Sequence, residues 1–303
     1  MNPAIPLGGL VGESKAQILE EIGDRDEVLR WTLVAPGDLE DRRRTVEGFA
    51  DSLETRWPLV LKPDRGERGL GVHVARTPAE RDAALRTVEI PVLAQEFATG
   101  LEFGVFWYRS RDAGNGVVFS VSRKAPIVVE GDGTRTLDEL LCANDRVLPL
   151  LDRIRQRQLS RLEEIPGPGA RVRVTELGTH SLGATFLDSM HLRSEKLARA
   201  LDSLMAGARL DFGRFDFLVP SEHDLVEGQN LKMIEFNGLS GEAAHLYDPG
   251  NTWAEGRSIL LEQWTWALRV GHRNREAGVR PATWRQVWRA LRSHLGDRGR
   301  RGG

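Results

Sequence analysis

Two short apolar runs joined by a glycine-rich loop place the strongest constraint on how this chain folds. Residues Trp57 to Ala75 read WPLVLKPDRGERGLGVHVA, and the run on each side of the loop has the length and the apolar character of a β-strand. The loop does not match the Walker pattern, because no Gly-Lys-Ser/Thr follows its glycines, and it does not match the dinucleotide fingerprint, which opens a helix. A strand–loop–strand hairpin is therefore predicted.

Such a hairpin has two interpretations. Glycines let backbone N–H groups converge on an anion, and Lys62 at the end of the first run adds a positive charge, so the hairpin could be a flap that closes over phosphate groups. The alternative is an ordinary hairpin with turn glycines and a solvated lysine. The loop alone favours the alternative, and other parts of the chain shift the balance.

Size and composition describe a folded globular protein. The 303 residues are 40% hydrophobic and 28% charged, which is ordinary for that class. A net charge of −2 gives no general attraction for polyanions, so nucleic acid is not a predicted partner. The single cysteine, Cys142, excludes an intrachain disulfide, and the sequence has neither a bilayer-spanning apolar run nor a secretion signal. A cytoplasmic protein without a membrane span is expected.

Strand and helix patterns alternate irregularly along the chain. Helical spacing predicts helices over residues 13–22, 39–54, 194–208 and 253–270, whereas several apolar strands are adjacent in sequence. The strands PVLAQEF and LEFGVFWYR, which flank the tripeptide ATG, are predicted to form a hairpin. This mixture favours an α+β fold.

A polar cluster follows the first of these two strands. The strand ends in Gln95 and Glu96, Phe97 comes next, and Glu102 follows the turn. Backbone groups and an amide at a strand end suit an adenine edge, and a carboxylate suits ribose hydroxyl groups. The alternative is an amphipathic hairpin with two surface acids.

Two apolar strands near residues 212–237 carry acidic residues. Asp216 lies within GRFDFLV, and Glu235 and Asn237 are two residues apart in KMIEFN, so the last two side chains face the same side of a strand. Two carboxylates and an amide oxygen are ligands that suit Mg²⁺. Buried ion pairs to Arg214 or Lys232 are the structural alternative, because acids within apolar strands need a partner.

With these residues in place, the chain resembles the ATP-grasp superfamily, specifically its carboxylate–amine ligase branch, which includes D-alanine–D-alanine ligase and cyanophycin synthetase. The resemblance covers residues 15–249. It implies an α+β fold in which two lobes clasp a nucleotide beneath a glycine-rich β-hairpin flap. The expected divisions are a lead-in over 1–56, a small lobe with the flap and adenine segment over 57–120, a large lobe with the metal site over 121–270, and a basic amphipathic helix and tail over 271–303.

The resemblance also implies cofactors and roles for individual residues. ATP and Mg²⁺ (or Mn²⁺) are the implied cofactors, with Asp216, Glu235 and Asn237 as metal ligands. Arg214 and Lys62 inherit catalytic roles, and Arg123 or Lys124 is placed near the phosphates by the similarity of SRKAPIVVEGDGTRTLDELL to cyanophycin synthetase. The residues assigned to ATP are Lys15, Lys62, Gly66, Gly69, Gly71, Gln95, Glu96, Phe97, Ala98, Glu102 and Lys124.

The chain departs from the family pattern in three ways that concern the substrates. Family members usually have another domain before the first lysine, whereas fourteen residues precede Lys15 here. The family's Asn-x-x-Pro-Gly motif appears as NGLSG. Leu246 stands at the position where dipeptide ligases have a serine that binds the carboxylate of the second amino acid. D-alanine is therefore not the expected acceptor. Either a second subunit, as in a homodimer, or the region over 176–188 is expected to complete the carboxylate pocket. The candidate substrate residues are Arg123, Arg171, Arg173, Ser240, Glu242, His245 and Tyr247.

The resulting hypothesis is an ATP-dependent ligase that joins a small-molecule carboxylate to an amine through an acyl phosphate and releases ADP and phosphate. One alternative is a phosphotransferase of the same fold. The other is a non-catalytic nucleotide-binding module that docks to a partner or a membrane through the helix carrying Trp284 and Trp288. The simpler interpretation of that helix is one that docks on the core and ends in a frayed tail.

Overall fold

The chain's fold is known from a computed structural model, which describes residues 1–66, 69–109, 115–175 and 183–301. The helices are α1 (Lys15–Ile22), α2 (Leu39–Asp51), α3 (Pro78–Thr87), α4 (Leu137–Cys142), α5 (Leu151–Arg157), α6 (Glu195–Leu204), α7 (Glu222–Glu227), α8 (Trp253–Glu276) and α9 (Trp284–Arg301). The strands are β1 (Trp31–Val34), β2 (Leu59–Pro63), β3 (His73–Ala75), β4 (Val92–Glu96), β5 (Leu101–Arg109), β6 (Gly116–Ala125), β7 (Val128–Glu130), β8 (Arg171–Arg173), β9 (Thr185–Asp188), β10 (Phe212–Val219) and β11 (Lys232–Asn237).

Residues 31–96 form a small lobe around a four-stranded sheet. Its strands are ordered β1-β4-β2-β3, and each neighbouring pair is antiparallel. Helices α2 and α3 begin at side-chain caps, Asp38 and Thr77, which accept a hydrogen bond from the backbone three residues later. Both helices pack apolar side chains such as Val46 and Leu85 against sheet residues such as Leu59.

The larger lobe is built on a five-stranded antiparallel sheet ordered β11-β10-β5-β6-β9. One face of this sheet packs Phe103 and Phe215 against helices α1, α6 and α7. The opposite face is covered at one end by α8, where Phe106 and Phe212 lie with Ala267. Side chains alternate between the two faces along a strand. The rest of that opposite face carries the polar residues described below.

Two smaller features complete the fold. Strands β7 and β8 form a two-stranded sheet with its own apolar cluster, to which α4 and α5 contribute. At the other end of the sequence, the buried Asn2 side chain donates to the carbonyl groups of Gly8 and Phe212 and accepts from the backbone N–H groups of Asp211 and Phe212. The N-terminal segment is thereby fixed to the start of β10.

The α+β fold with two lobes and a glycine hairpin agrees with the sequence prediction, but the predicted hairpin between β4 and β5 is wrong. Strand β4 pairs with β1 and β2, whereas β5 pairs with β10 and β6. Gly100 has φ +155°, and a Cβ there would lie 2.6 Å from the carbonyl oxygen of Val219. The ATG segment therefore carries the chain from one sheet to the other, where only glycine fits.

The sheets also divide the chain at different positions from those expected. Strand β1 and helix α2, expected in a lead-in over 1–56, belong to the small lobe, and β5, expected in the small lobe over 57–120, is a central strand of the large one. The pairing of β5 with β10, which are far apart in sequence, assigns β5 to the large lobe. Local sequence patterns do not predict such pairing.

Candidate functional site

A polar patch occupies one face of the five-stranded sheet where β11, β10, β5 and β6 lie side by side. Asp216 on β10 is opposite Glu235 on β11 and opposite Gly104 on β5, and Gly104 is in turn opposite Ser122 on β6. Residues two positions away on each strand share the same face. Side chains separated by more than a hundred residues in sequence are thereby gathered into one row.

Arg214 and Asp216 form an ion pair within β10. Arg214 donates from Nε to Oδ1 of Asp216 at 2.9 Å and from Nη2 to Oδ2 at 3.3 Å, and its Nη1 donates to the carbonyl oxygen of Glu242 at 3.1 Å. A Cβ at Gly104 would lie 3.2 Å from Cδ of Arg214 and 2.9 Å from the hydroxyl of Ser122. The glycine therefore makes room for the Arg214 side chain beside β5, a requirement that the sequence patterns did not reveal.

Lys124 connects two carboxylates of the same face. Its Nζ lies 2.9 Å from Oε1 of Glu102 and 2.8 Å from Oδ2 of Asp216, and the lysine side chain is almost fully buried. Burial alone would lower the pKa of Lys124, but the charges of Asp216 and Glu102 outweigh it and hold the pKa above its usual range. Burial alone would raise the pKa of Asp216, and Arg214 and Lys124 hold it below its usual range. Both groups are therefore charged at neutral pH.

Lys62 reaches this patch from the small lobe. Its buried ammonium donates to Oε1 of Gln95 at 2.8 Å and to the carbonyl oxygen of Ile234 at 3.0 Å. Ile234 has no partner on β10, because the register shifts between Asp216 and Phe217, so its carbonyl group is left for this contact. Burial lowers the pKa of Lys62 to about 8, although the charge of Glu235 acts in the opposite direction.

The base of the glycine loop is held by the start of α1. Asp64 accepts hydrogen bonds at Oδ1 from the Ser14 hydroxyl and the Ala16 N–H, each at 2.9 Å. Lys15 then donates from Nζ to the carbonyl oxygen of Gly66 at 2.9 Å. The dipole of α1 stabilises the Asp64 carboxylate at its N-terminus. These contacts fix Lys15 beside the glycine loop, which follows Lys62 in the sequence.

Glu13 belongs to the site and was not predicted from the sequence. Its carboxylate accepts from the N–H of Gly238 at 3.1 Å and from the hydroxyl of Ser240 at 3.4 Å. Burial raises the pKa of Glu13 to about 7, and the nearby charge of Glu235 adds to this effect while Lys15 opposes it. No motif marked Glu13, because its neighbours come from a loop 225 residues further along the chain.

The three predicted metal ligands lie together. The amide nitrogen of Asn237 is 3.4 Å from Oδ2 of Asp216 and 3.4 Å from Oε1 of Glu235, and a half-turn of the amide exchanges its nitrogen and oxygen. Two carboxylates and an amide fit a hard divalent cation, although Asp216 already pairs with Arg214 and Lys124. Among the described residues, no group of three or more His, Cys, Asp or Glu side chains is arranged to hold a metal ion.

The predicted adenine segment lies at the end of β4. Both polar atoms of the Gln95 side-chain amide are engaged, because Nε2 donates to the Ile234 carbonyl oxygen at 3.2 Å while Oε1 accepts from Lys62. The N–H of Glu96 donates to the carbonyl oxygen of Arg30. Gln95 therefore positions Lys62, and Phe97 and Ala98, both half-buried, follow as the chain crosses to β5.

The loop after β11 is fixed from two directions. The backbone N–H of Ser240 donates to the carbonyl oxygen of Gly9, and Gln263 on α8 accepts from the Ala243 N–H and donates to the carbonyl oxygen of Gly241. The Tyr247 hydroxyl donates to the Glu242 carboxylate. These contacts hold Glu242 where its carbonyl oxygen meets Arg214.

Three arginines proposed as substrate residues lie outside the row. Arg123 is next to Lys124 on β6, so its side chain faces the opposite side of the sheet. It pairs with Glu222 of α7 at 3.1 Å. Arg171 and Arg173 are exposed on β8 in the separate two-stranded sheet, where Arg173 donates to the Thr175 carbonyl oxygen.

The remaining predicted site residues have different surroundings. Burial lowers the pKa of His245, which lies in a short 3₁₀ helix over Ala244–Tyr247. Gly69 and Gly71 have φ of +68° and +70°, which suits a tight loop. Residues 67–68 of the loop and 176–182 of the proposed pocket region lie outside the described residues.

Comparisons with known proteins find likeness at the level of the backbone. No protein-family model matches the chain. No curated protein sequence matches it either. A similar solved structure is a bifunctional glutathione synthetase from Pasteurella multocida, with 17% identity over 83% of this chain and 35% of that one and a TM-score of 0.39. The VanG D-Ala:D-Ser ligase from Enterococcus faecalis has 12% identity over 83% of this chain and 61% of that one, with a TM-score of 0.45. A D-alanine–D-alanine ligase from Helicobacter pylori has 14% identity over 86% of this chain and 63% of that one, with a TM-score of 0.41.

The chain thus spans between about a third and two thirds of the length of these three proteins. One of the three is a D-alanine–D-alanine ligase. Function is inferred below from the side chains of the polar patch. Within the described part of the chain, no helix combines the length and apolar character needed to cross a bilayer.

Proposed function

We propose that the chain is an ATP-dependent ligase that joins a carboxylate to an amine. The observation that carries this proposal is the contact of Lys62 with the Ile234 carbonyl oxygen at 3.0 Å, immediately before Glu235. It brings the lysine at the base of the glycine loop against the strand that carries two of the three proposed metal ligands. A site for a triphosphate and its cation needs fixed positive charges that bind the phosphates, close to oxygen ligands that bind the cation.

The charges of the patch support a nucleotide together with a divalent cation. Lys15, Lys62, Lys124 and Arg214 face the carboxylates of Glu13, Glu102, Asp216 and Glu235, so the protein groups nearly balance one another. A bound triphosphate adds negative charge that the protein alone does not offset. Asp216, Glu235 and Asn237 would hold Mg²⁺ or Mn²⁺, which would neutralise phosphate oxygens.

The reaction has two steps. An oxygen of the substrate carboxylate attacks the γ-phosphorus of ATP, the bond to the bridging oxygen of ADP breaks, and an acyl phosphate forms. Lys15 and Lys62 bind the phosphates and orient the γ-phosphoryl group for this displacement. The glycine loop after Lys62 excludes water, which would otherwise hydrolyse the intermediate.

In the second step the amine attacks the acyl carbon. The carbonyl oxygen gains negative charge, the nitrogen loses its proton to a base, and phosphate leaves with the electrons of the C–O bond. Arg214 is fixed by Asp216 and by the Glu242 carbonyl oxygen, so its guanidinium is oriented before the charge develops. A donor fixed in this way contributes on the order of 10²- to 10³-fold in rate.

The test is a screen for ADP release with pairs of carboxylates and amines, followed by mass analysis of the product. A new amide with free phosphate supports ligation, whereas a phosphorylated acceptor identifies a phosphotransferase. Glu235→Gln should lower turnover at least about a hundredfold, and Glu195→Gln, which changes an exposed acid on α6 outside the patch, should leave turnover near that of the wild type. Absence of ATP binding in calorimetry, or full turnover by Glu235→Gln, would contradict the proposal.

A further inference from the structure

The two C-terminal helices expose apolar side chains that the polar patch does not use. On α8 they lie along one stripe, because their spacing of eight, three and four residues returns to the same side of a helix. We call this the α8 stripe: Trp253, Leu261, Trp264 and Leu268. Trp253 is 86% exposed and Leu268 is 74% exposed, so neither is covered by the part of the chain that the structure describes. The buried residues of α8, such as Ala267 and Val270, lie on another side.

Helix α9 repeats this arrangement on a smaller scale. Trp284 and Trp288 are one helical turn apart and are 87% and 59% exposed. Arg292 lies over the ring of Trp288, with its guanidinium carbon 5.1 Å from the ring centre. These two tryptophans are therefore left exposed on α9.

The net charge of residues 253–303 indicates which kind of surface would bind the exposed apolar side chains of α8 and α9. Residues 253–303 contain eleven arginines and four acidic residues, a net charge of +7, so residues 1–252 carry −9 of the chain's total of −2. A second copy docked through the same stripe would bring two strongly positive regions together, which costs free energy. A negatively charged surface with an apolar layer beneath it satisfies both the arginines and the exposed side chains.

We propose that the α8 stripe and the arginines of α8 and α9 bind the surface of an anionic lipid bilayer. Tryptophan and leucine side chains enter the boundary between headgroups and acyl chains, and arginines contact lipid phosphates. Nucleic acid offers the same negative charge, but it has no apolar layer to receive Leu261 and Leu268. The proposal does not depend on the proposed ligase reaction.

The attachment of α8 connects this surface to the polar patch. Gln263, on the buried side of α8, holds the backbone of Gly241 and Ala243 in the loop that orients Arg214. A protein lying on a bilayer through α8 would therefore hold this loop close to the membrane surface. Substrates that are themselves anchored in the bilayer would reach it without leaving the membrane.

The test is co-sedimentation of the full chain with vesicles of phosphatidylcholine alone or with about one third phosphatidylglycerol. Binding is expected with the anionic vesicles, and it should weaken at high salt and be much weaker with phosphatidylcholine alone. The double variant Leu261→Ser/Leu268→Ser should lose affinity about tenfold or more. Its matched control is Leu159→Ser/Ile165→Ser, because these residues are exposed to a similar degree, 69% and 55% against 59% and 74%, but lie outside α8 and α9.

A second pair of variants tests the charge. Arg257→Glu/Arg275→Glu should also lose affinity about tenfold or more, whereas Arg44→Glu/Arg56→Glu, at exposed arginines of the small lobe, should retain it. Thermal unfolding checks that each variant is folded. The proposal is overturned if the wild type does not sediment with anionic vesicles, or if the leucine variant and its control bind equally. It is also overturned if light scattering shows a dimer that the leucine variant dissociates while neither protein binds vesicles, because a second copy would then cover the stripe.

Discussion

The ammonium group of Lys62 lies 3.0 Å from the carbonyl oxygen of Ile234, a residue 172 positions further along the chain. One end of this contact belongs to the four-stranded sheet and the other to the five-stranded sheet. Gln95 contacts the same carbonyl oxygen and also binds the lysine. A small hydrogen-bonded group therefore joins the two lobes at the site.

Replacing Lys62 with methionine should reduce ATP affinity at least about tenfold, because the proposed phosphate contact is lost. The free energy of unfolding should change by no more than about 1 to 2 kcal/mol, since removal of a buried charge offsets the loss of its hydrogen bonds. Lys196→Met, at an exposed lysine paired with Glu227, is the control and should bind ATP as the wild type does. Calorimetric titration gives both affinities, and equal values would exclude Lys62 from the phosphate site.

The stability of the protein should depend on pH through Glu13. The pKa of Glu13 is raised from 4.5 to about 7 in the folded state, so the folded protein binds a proton more tightly than the unfolded chain does. The resulting stabilisation is complete below about pH 4.5 and is lost as the pH rises through about 7. Glu13→Gln cannot ionise, so at about pH 8 it should be more stable than the wild type by about 1 to 2 kcal/mol, a value reduced for partial solvent screening.

Urea denaturation of Glu13→Gln and the wild type at about pH 4.5 and about pH 8 measures this difference. The two proteins should be equally stable at the lower pH. Glu20→Gln, at an exposed acid on α1, should show no such pH-dependent difference from the wild type. Parallel pH profiles for Glu13→Gln and the wild type would mean that Glu13 does not ionise differently on folding.

Gly104→Ala should lower activity by displacing Arg214. The new methyl group would lie 3.2 Å from Cδ of Arg214 and 2.9 Å from the Ser122 hydroxyl, so one of them must move. A shift of a fixed catalytic group by even an ångström can cost on the order of a hundredfold in rate. Gly48→Ala is the control, because apart from the backbone of its own helix no described atom comes within 4 Å of a Cβ at Gly48, and alanine favours a helix interior by about 0.5 to 1 kcal/mol.

The measurement for Gly104→Ala is the steady-state rate of ADP release alongside the unfolding temperature. The rate should fall more than stability alone explains, while Gly48→Ala should keep its rate and unfold at the same temperature or a slightly higher one. Unchanged rates for both variants would show that β5 accommodates the methyl group without moving Arg214.

Asn2→Ala should destabilise the protein by about 2 to 4 kcal/mol. The substitution leaves the backbone N–H groups of Asp211 and Phe212 without the acceptor that binds them at 2.8 and 2.9 Å. Gln17→Ala removes a single side-chain hydrogen bond, to the Ala4 carbonyl oxygen, and should cost about 1 kcal/mol. Urea denaturation compares the two, and equal losses would mean that water replaces Asn2.

The sequence predicted the parts of the site that depend on strand alternation. Glu235 and Asn237 face one side because they are two residues apart, and the apolar residues around Asp216 predict that it needs a partner. That partner is Arg214 together with Lys124. The structural alternative of a buried ion pair was therefore correct for Asp216, and its role as a metal ligand stays a prediction.

The sequence did not predict features that depend on pairing between distant strands. The register of β10 with β5 places Gly104 beneath Arg214, and a one-residue bulge at Ile234 turns its carbonyl group towards Lys62. Glu13 joins the site through a loop contact with Gly238. None of these has a local signature, because register and loop docking are decided by the packing of the whole sheet.

The order of strands in the larger sheet has a consequence for synthesis on the ribosome. Residues 31–96 contain every strand of the small lobe, so that lobe can fold as soon as it emerges. Strand β5 emerges next, but its neighbour β10 is made about a hundred residues later, which leaves an apolar edge containing Phe103 and Val105 unpaired during elongation. The nascent chain is therefore most vulnerable to aggregation between these two points, and a chaperone that shields strand edges would have its greatest effect there.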